Sequence, residues 1–159
     1  MREPKDAAAV RVFPPAVPLL AILLGLGLNR VWPIHSRFDL PAPARYWLGG
    51  GIALCAFLVL GLSSILLFRR SGQSPNPWTP TPRVLDRGPY RFTRNPMYLQ
   101  LVVITVGIAV ALMNWWILAL TLVAAWVLER FAIRPEEAYL EQKFGASYLE
   151  YKRRVRRWI

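Results

Sequence analysis

The residues best suited to chemistry lie in Arg87-Gly88-Pro89-Tyr90-Arg91-Phe92-Thr93-Arg94-Asn95-Pro96-Met97-Tyr98 and, two apolar stretches later, in Glu136-Glu137. A polar segment rich in Arg and Tyr and set against hydrocarbon is costly unless it has a partner, so it marks a candidate site. Asn95-Pro96 has the composition of a helix start, with Asn as N-cap and Pro at the first helical position. Such a start offers free N–H groups and a partial positive charge to an anion, for instance an amino-acid carboxylate. Arg94, Tyr90 and Tyr98 add hydrogen bonds and an aromatic surface. Glu136-Glu137 follow Pro135 and read in two ways: as acidic residues stabilising a first helical turn, or as acceptors for a ligand's ammonium and hydroxyl groups.

Other chemistries lack a complete motif. His35 is the only histidine and stands far from these segments, which excludes a His-based metal site or triad and leaves it solvent-facing or interfacial. Cys55 is the only cysteine, so no intrachain disulfide forms, and a small buried thiol is the expected role. There is neither a P-loop nor a Gly-rich dinucleotide fingerprint.

The elements that must position these residues follow from composition. The chain has 159 residues, is 55% hydrophobic and carries a net charge of +11. A soluble domain of this size has too little core to hide so many apolar residues, whereas a membrane protein holds them easily. Four apolar segments, at residues 12–28, 46–68, 97–113 and 115–131, predict an all-α polytopic membrane protein, because a span needs roughly 17–25 residues. Pro14, Pro15 and Pro18 suit the start of the first helix. That segment ends in Asn29-Arg30-Val31-Trp32 without a small-residue cleavage site and reads as retained.

Four spans place the N-terminal tail, the loop Arg69–Asn95 and the C-terminal tail on one side. Arg2, Lys5, Arg11, Arg69, Arg70, Arg83, Arg87, Arg91, Arg94, Arg130, Arg134, Lys143, Lys152, Arg153, Arg154, Arg156 and Arg157 gather there. Only Arg30, Arg37 and Arg45 lie opposite. Both termini are therefore expected in the cytoplasm, with a bacterial inner membrane as the location. The basic tail reads as a topology determinant and a contact for anionic membrane lipids. No recognition motif supports nucleic acid.

Asn114 alone separates the last two segments, which forces an antiparallel hairpin with Trp115-Trp116 in the far interfacial belt. Both ends of the hairpin then return to one face, and Arg94–Tyr98 meets Glu136-Glu137 there. Gly49-Gly50-Gly51 and Gly107 read as points of close helix packing. Past Pro135, Leu140, Phe144, Tyr148, Tyr151 and Val155 recur every three or four residues, the stripe of one C-terminal amphipathic helix lying in the interface. S-Adenosylmethionine carries an ammonium, ribose hydroxyls and a sulfonium, and so fits a mouth built from these two segments.

At these residues the chain resembles a known family. Gly88-Pro89-Tyr90, Arg94-Asn95-Pro96-Met97-Tyr98, Glu136-Glu137, Phe144-Gly145 and Tyr148-Leu149-Glu150-Tyr151 are similar to the C-terminal half of isoprenylcysteine carboxyl methyltransferases and their bacterial relatives. Phospholipid N-methyltransferases share the Asn-Pro-Met-Tyr and Glu-Glu elements. The resemblance implies a membrane enzyme transferring a methyl group from S-adenosylmethionine to a lipophilic acceptor, with its cofactor region in residues 73–98 and 130–157 of one membrane domain. It implies cofactor contacts at Pro82, Arg83, Val84, Leu85, Tyr90, Arg94, Asn95, Pro96, Met97, Tyr98 and Glu136. Arg130 or Arg134 would orient a carboxylate acceptor, and Glu137 would assist deprotonation of an amine. Pro82 replaces a histidine, Gln100 replaces a glycine, and Ala132 stands where a substrate-side Arg is expected. Two rivals are an NADPH-dependent sterol-type reductase, whose His-Pro-Asn-Tyr and Gly-Glu elements are absent, and a non-enzymatic protein keeping the fold. The acceptor and the oligomeric state are not legible.

Overall fold

The computed structural model describes residues 7–36 and 38–159. Arg2, Lys5 and Arg37, which enter the charge argument, lie outside them. Among the described residues the regular structure is helical throughout: α1 (Ala16–Val31), α2 (Ala42–Arg70), α3 (Pro96–Leu112), α4 (Trp115–Phe144), α5 (Ala146–Arg154) and a 3₁₀ turn at Gly88–Arg91. α2 and α4, with 29 and 30 residues, are each long and apolar enough to cross a membrane. α1 and α3 are apolar but shorter, at 16 and 17 residues.

The helices form a row, α2 against α3, α3 against α4 and α4 against α1, each antiparallel to its neighbour. Glycine sets two of the contacts. A methyl group added to Gly107 would stand 2.6 Å from the Gly49 carbonyl oxygen, so the α2 and α3 backbones touch there. Gly25 of α1 has the same relation to α4, where an added methyl would meet the Ile117 nitrogen at 2.8 Å. Gly50 and Gly51 face open space and serve no such contact. Gly107→Ala should therefore lower stability by about 1–3 kcal/mol, the cost of overpacking, whereas Gly50→Ala should leave it unchanged. Thermal unfolding in detergent micelles checks both.

The hairpin between α3 and α4 closes as the short link requires. Met113 adopts a left-handed conformation (φ 49°) at the end of α3, a position that glycine would occupy without strain. Asn114 then caps α4 by accepting from the Ile117 N–H at 3.0 Å and donates to the Gly25 carbonyl at 3.2 Å. Trp116 donates to the Trp32 carbonyl at 2.7 Å, which ties the end of α1 to the start of α4.

Three expectations change. α4 does not stop near residue 131 with a new helix after Pro135; it runs to Phe144, through a π-turn at Glu129–Ile133. Pro135 has no N–H to give the Phe131 carbonyl, and Arg11 of the N-terminal segment supplies a donor instead, at 3.0 Å. Glu136 and Glu137 consequently sit inside a helix, and their role as acidic residues of a helix start falls away. The break comes at Gly145 (φ 53°), so the amphipathic stripe is divided: Leu140 and Phe144 on α4, Tyr148 and Tyr151 on α5 and Val155 beyond it. These residues still pack together, with Val84. Cys55 is exposed on α2, not buried, among outward apolar side chains such as Leu54 and Val59. Leu23 and Leu24 of α1 and Leu122 and Trp126 of α4 are likewise exposed, an apolar surface suited to lipid.

Candidate functional site

The C-terminus of α2, the N-terminus of α3, the second half of α4 and the N-terminal segment meet at one end of the row. The pairing follows from strand-like alternation of direction along the row: Gly61 faces Gln100, while Ala8 and Val10 pack on Tyr98, Leu128, Ala132 and Ile133. The irregular segment 71–87 crosses this end. It is held by Arg83 Nη2 donating to the Ser71 carbonyl (2.9 Å), the Thr81 N–H donating to Tyr139 Oη (3.3 Å) and Trp78 Nε1 donating to the Val10 carbonyl (3.2 Å).

Glu137 is buried at the centre of an ionic clasp. Arg94 donates to its Oε1 through Nε at 3.0 Å and approaches it through Nη2 at 2.9 Å, and Arg157 donates to its Oε2 through Nη2 at 2.7 Å. Arg94 Nη1 spends its remaining hydrogens on the Lys152 and Val155 carbonyls, at 3.1 and 2.6 Å. Arg157 also reaches Glu129 at 2.9 Å, and Trp158 Nε1 donates to Glu129 Oε2 at 3.0 Å. The hydrogen bonds to Glu137 hold the Arg157 guanidinium above its ordinary range. The clasp therefore fastens the C-terminal segment beneath the start of α3, and a carboxylate so fully paired is a poor proton acceptor.

Glu136 is differently placed. Its Oε2 accepts from Tyr98 Oη at 2.7 Å, and it lines both lobes of a cavity with Tyr90, whereas Glu137 reaches only one of them. Burial pushes the Tyr90 phenol above its ordinary range, the Glu136 charge adds to this, and a hydrogen bond with Ser64 works in the opposite direction. Burial raises Tyr148 and Tyr151 as well. All three stay protonated at neutral pH, and Tyr151 donates to the Tyr90 carbonyl at 2.8 Å.

The cavity has two lobes that share Tyr90, Arg94, Asn95 and Glu136. One, about 60 Å³, is the more polar of the two, a slot under segment 71–87 reached by Gln73, Thr81, Arg83, Tyr139 and Tyr148. The other, about 440 Å³, is mainly apolar and lies between α2, α3 and the N-terminal segment. Phe13 and Trp78 stack over it with ring centres 6.2 Å apart, and Ile65, Met97 and Leu101 form its walls. Gln100 lies directly over Gly61, whose missing side chain makes room for the amide, and brings a polar group into this lobe.

The residues named from sequence divide accordingly. Arg83, Val84, Leu85, Tyr90, Arg94, Asn95, Met97, Tyr98, Glu136 and Glu137 all line one lobe or both. Pro96 is buried at the first turn of α3. Pro82 lines a separate surface groove with Arg154, because the chain turns outward there. Arg130 and Arg134 stand outside both lobes: Arg134 is exposed and pairs with Glu129 at 2.9 Å, and Arg130 lies 5.9 Å from the Phe131 ring. Asn95 does not cap α3 with its side chain; its amide donates to the Arg157 carbonyl at 3.1 Å. No individual role is expected from sequence for Arg157, Glu129 or Gln73, although Arg157 and Gln73 fall within the expected cofactor region. The first two look in sequence like ordinary tail and helix charges, and only the return of the C-terminal segment joins them.

Comparison with known proteins agrees with this geometry. Residues 44–147 match the family described as phospholipid methyltransferase. The chain is 40% identical over 63 residues to an uncharacterized protein of Haemophilus influenzae, a match covering 40% of this chain and all of that protein. It is 33% identical over 72 residues to the protein-S-isoprenylcysteine O-methyltransferase of Saccharomyces cerevisiae, covering 45% of this chain and 30% of the yeast protein. No solved structure matches. With the matched region running from α2 to the start of α5 and including Tyr90, Arg94, Asn95 and Glu136, the chain belongs to the phospholipid methyltransferase family of membrane methyltransferases.

Proposed function

We propose that the protein transfers a methyl group from S-adenosylmethionine to a lipophilic acceptor, either an isoprenylcysteine-like carboxylate or a lipid amine. The observation that carries this reading is the junction of a polar and an apolar lobe at Tyr90, Arg94, Asn95 and Glu136. The residues present fit the cofactor. Glu136 offers a carboxylate to ammonium and hydroxyl groups, and the Tyr90 and Tyr98 rings suit a sulfonium. The first turn of α3 lacks a side-chain cap and suits an amino-acid carboxylate. The slot itself, at about 60 Å³, is smaller than a nucleoside, so it takes only part of the cofactor.

When bound, the cofactor supplies a methyl group already activated on sulfur. The chain's part is then to position and to exclude water. Tyr98 fixes the Glu136 carboxylate, the Phe13–Trp78 stack and Ile65 keep the apolar lobe dry, and Gln100 offers a hydrogen bond to the acceptor's polar head. Glu137 and Arg94 act as positioning residues through the clasp. Arg130 and Arg134 have no contact with the reacting region. We place all four apolar helices across the membrane with both termini in the cytoplasm. A cysteine introduced at Ser74 should be labelled from the cytoplasm, and one at Ser36 should not; the reverse pattern would overturn this topology.

Calorimetric titration tests the cofactor directly. The purified full chain should bind S-adenosylmethionine saturably and NADPH not at all. Glu136→Gln should weaken cofactor binding by at least about 1.5 kcal/mol, the loss of one charge-assisted hydrogen bond, while the fold persists. Unchanged affinity in the folded variant would remove Glu136 from the site.

A further inference from the structure

Three segments that lie far apart in sequence bring exposed arginines to one edge of the site end. Arg69 and Arg70 close α2. The 3₁₀ turn packs against that end, with the Tyr90 ring 6.0 Å from the Phe68 ring and Gly88 facing Leu67; Arg87 precedes the turn and Arg91 ends it. The C-terminal segment lies along the same turn, for Tyr151 Oη donates to the Tyr90 carbonyl and the Arg94 N–H donates to the Arg156 carbonyl at 2.9 Å. That pairing adds Arg153 and Arg156. All six arginines are exposed, and none lines either lobe of the cavity.

Among the described residues no carboxylate pairs with any of them. Glu129 and Glu137 are held in the clasp, Glu136 by Tyr98 and Glu141 by Lys152 at 2.8 Å, and Asp86 lies 3.9 Å from Arg154. Glu150 lines the surface groove with Arg83 and Arg154, and Asp39 belongs to the opposite end of the row. Gathering like charges from three segments is unfavourable unless anions collect there. Phe92 stands on the same edge beside Arg91 and is 77% exposed. α3 begins four residues later, and its 17 residues span about 25 Å, short of the roughly 30 Å hydrocarbon core. The residues just before it therefore lie where acyl chains meet headgroups, a depth at which an aromatic ring enters the chains and arginines reach for the phosphates.

We propose that this edge binds an anionic phospholipid, its phosphate shared by the arginines and one acyl chain beside Phe92. The basic tail alone does not form the site, because Arg69, Arg70, Arg87 and Arg91 come from the end of α2 and the 3₁₀ turn. The bound lipid bridges the start of α3 to the C-terminal segment and offsets the repulsion between them. The site is independent of which cofactor and acceptor the cavity takes.

Native mass spectrometry of the full chain in detergent, titrated with phosphatidylglycerol and with phosphatidylcholine of the same acyl chains, tests this. The wild type should retain phosphatidylglycerol at least about tenfold more tightly, since each arginine near an anionic lipid contributes severalfold. Arg91→Gln combined with Arg156→Gln should abolish the preference, whereas the corresponding pair of lysine substitutions should keep most of it. Phe92→Ser should weaken both lipids alike, and Arg30→Gln at the opposite end should leave the preference unchanged. Phosphatidylglycerol should also raise the melting temperature of the wild type and not of the glutamine pair. Should that pair fail to fold, Arg69→Gln combined with Arg87→Gln removes the same charge without touching the C-terminal segment and is held to the same outcome. Equal retention of the two lipids by the wild type, or a preference that survives the glutamine substitutions, overturns the inference. Displacement of the lipid by an equal concentration of glycerol phosphate also overturns it, by making the edge a site for soluble anions.

Discussion

Arg94→Met should destabilise the folded protein by about 3 kcal/mol, the lower end of the cost of breaking a buried ion pair, because Arg157 still holds Glu137. The side chains of Arg94 and Glu137 are only 8% and 6% exposed, so water cannot replace the lost guanidinium. The same substitution deprives the Lys152 and Val155 carbonyls of their donor, which releases the end of α5 from the start of α3. Arg157→Ala should cost less, because Arg157 is 29% exposed and Arg94 remains on Glu137. Denaturant or thermal unfolding in micelles, followed by circular dichroism, ranks the two. Arg94→Met should also loosen cofactor binding, because Arg94 itself lines both lobes, although Tyr90, Tyr98 and Glu136 are retained.

Acceptor chain length should have an effect of similar size. The larger lobe is apolar and lies between helices whose outer faces carry exposed leucines, so the acceptor is expected to enter sideways from the bilayer. Alkyl chains partition into hydrocarbon at about 0.8 kcal/mol per methylene, and four added methylenes should therefore lower the apparent KM by about 200-fold. A homologous series of alkylated acceptors, assayed in vesicles at fixed bulk concentration, gives the slope. A water-soluble acceptor methylated as efficiently as its alkylated analogue would require an aqueous cleft instead.

Much of the site was legible before the structure, and the reasons are local. Pro and Asn at residues 95–96 fix where α3 begins, the single Asn114 dictates a hairpin, and a hairpin must return Glu136 to Tyr98. What the sequence concealed depends on partners distant in the chain. Pro135 reads as a helix start by local rules, yet the helix passes through it because Arg11 supplies a donor to the Phe131 carbonyl. Arg130 and Arg134 flank the position where the resemblance expects an arginine, but the π-turn and the exposed helix face carry both away from the cavity. Asn95 has the composition of a cap and spends its amide on the C-terminal segment, whose return no periodicity announces.

The central claim is that one cavity joins an aqueous cofactor to a membrane-borne acceptor. Transfer of a radiolabelled methyl group from S-adenosylmethionine tests it most directly, with the purified full chain in bilayers that contain membrane lipid extract or isoprenylcysteine analogues. The account predicts label in the apolar fraction, inhibition by S-adenosylhomocysteine, and at least a tenfold lower rate for Glu136→Gln at subsaturating cofactor. Label found only in water-soluble products, or a rate untouched by Glu136→Gln, would contradict it.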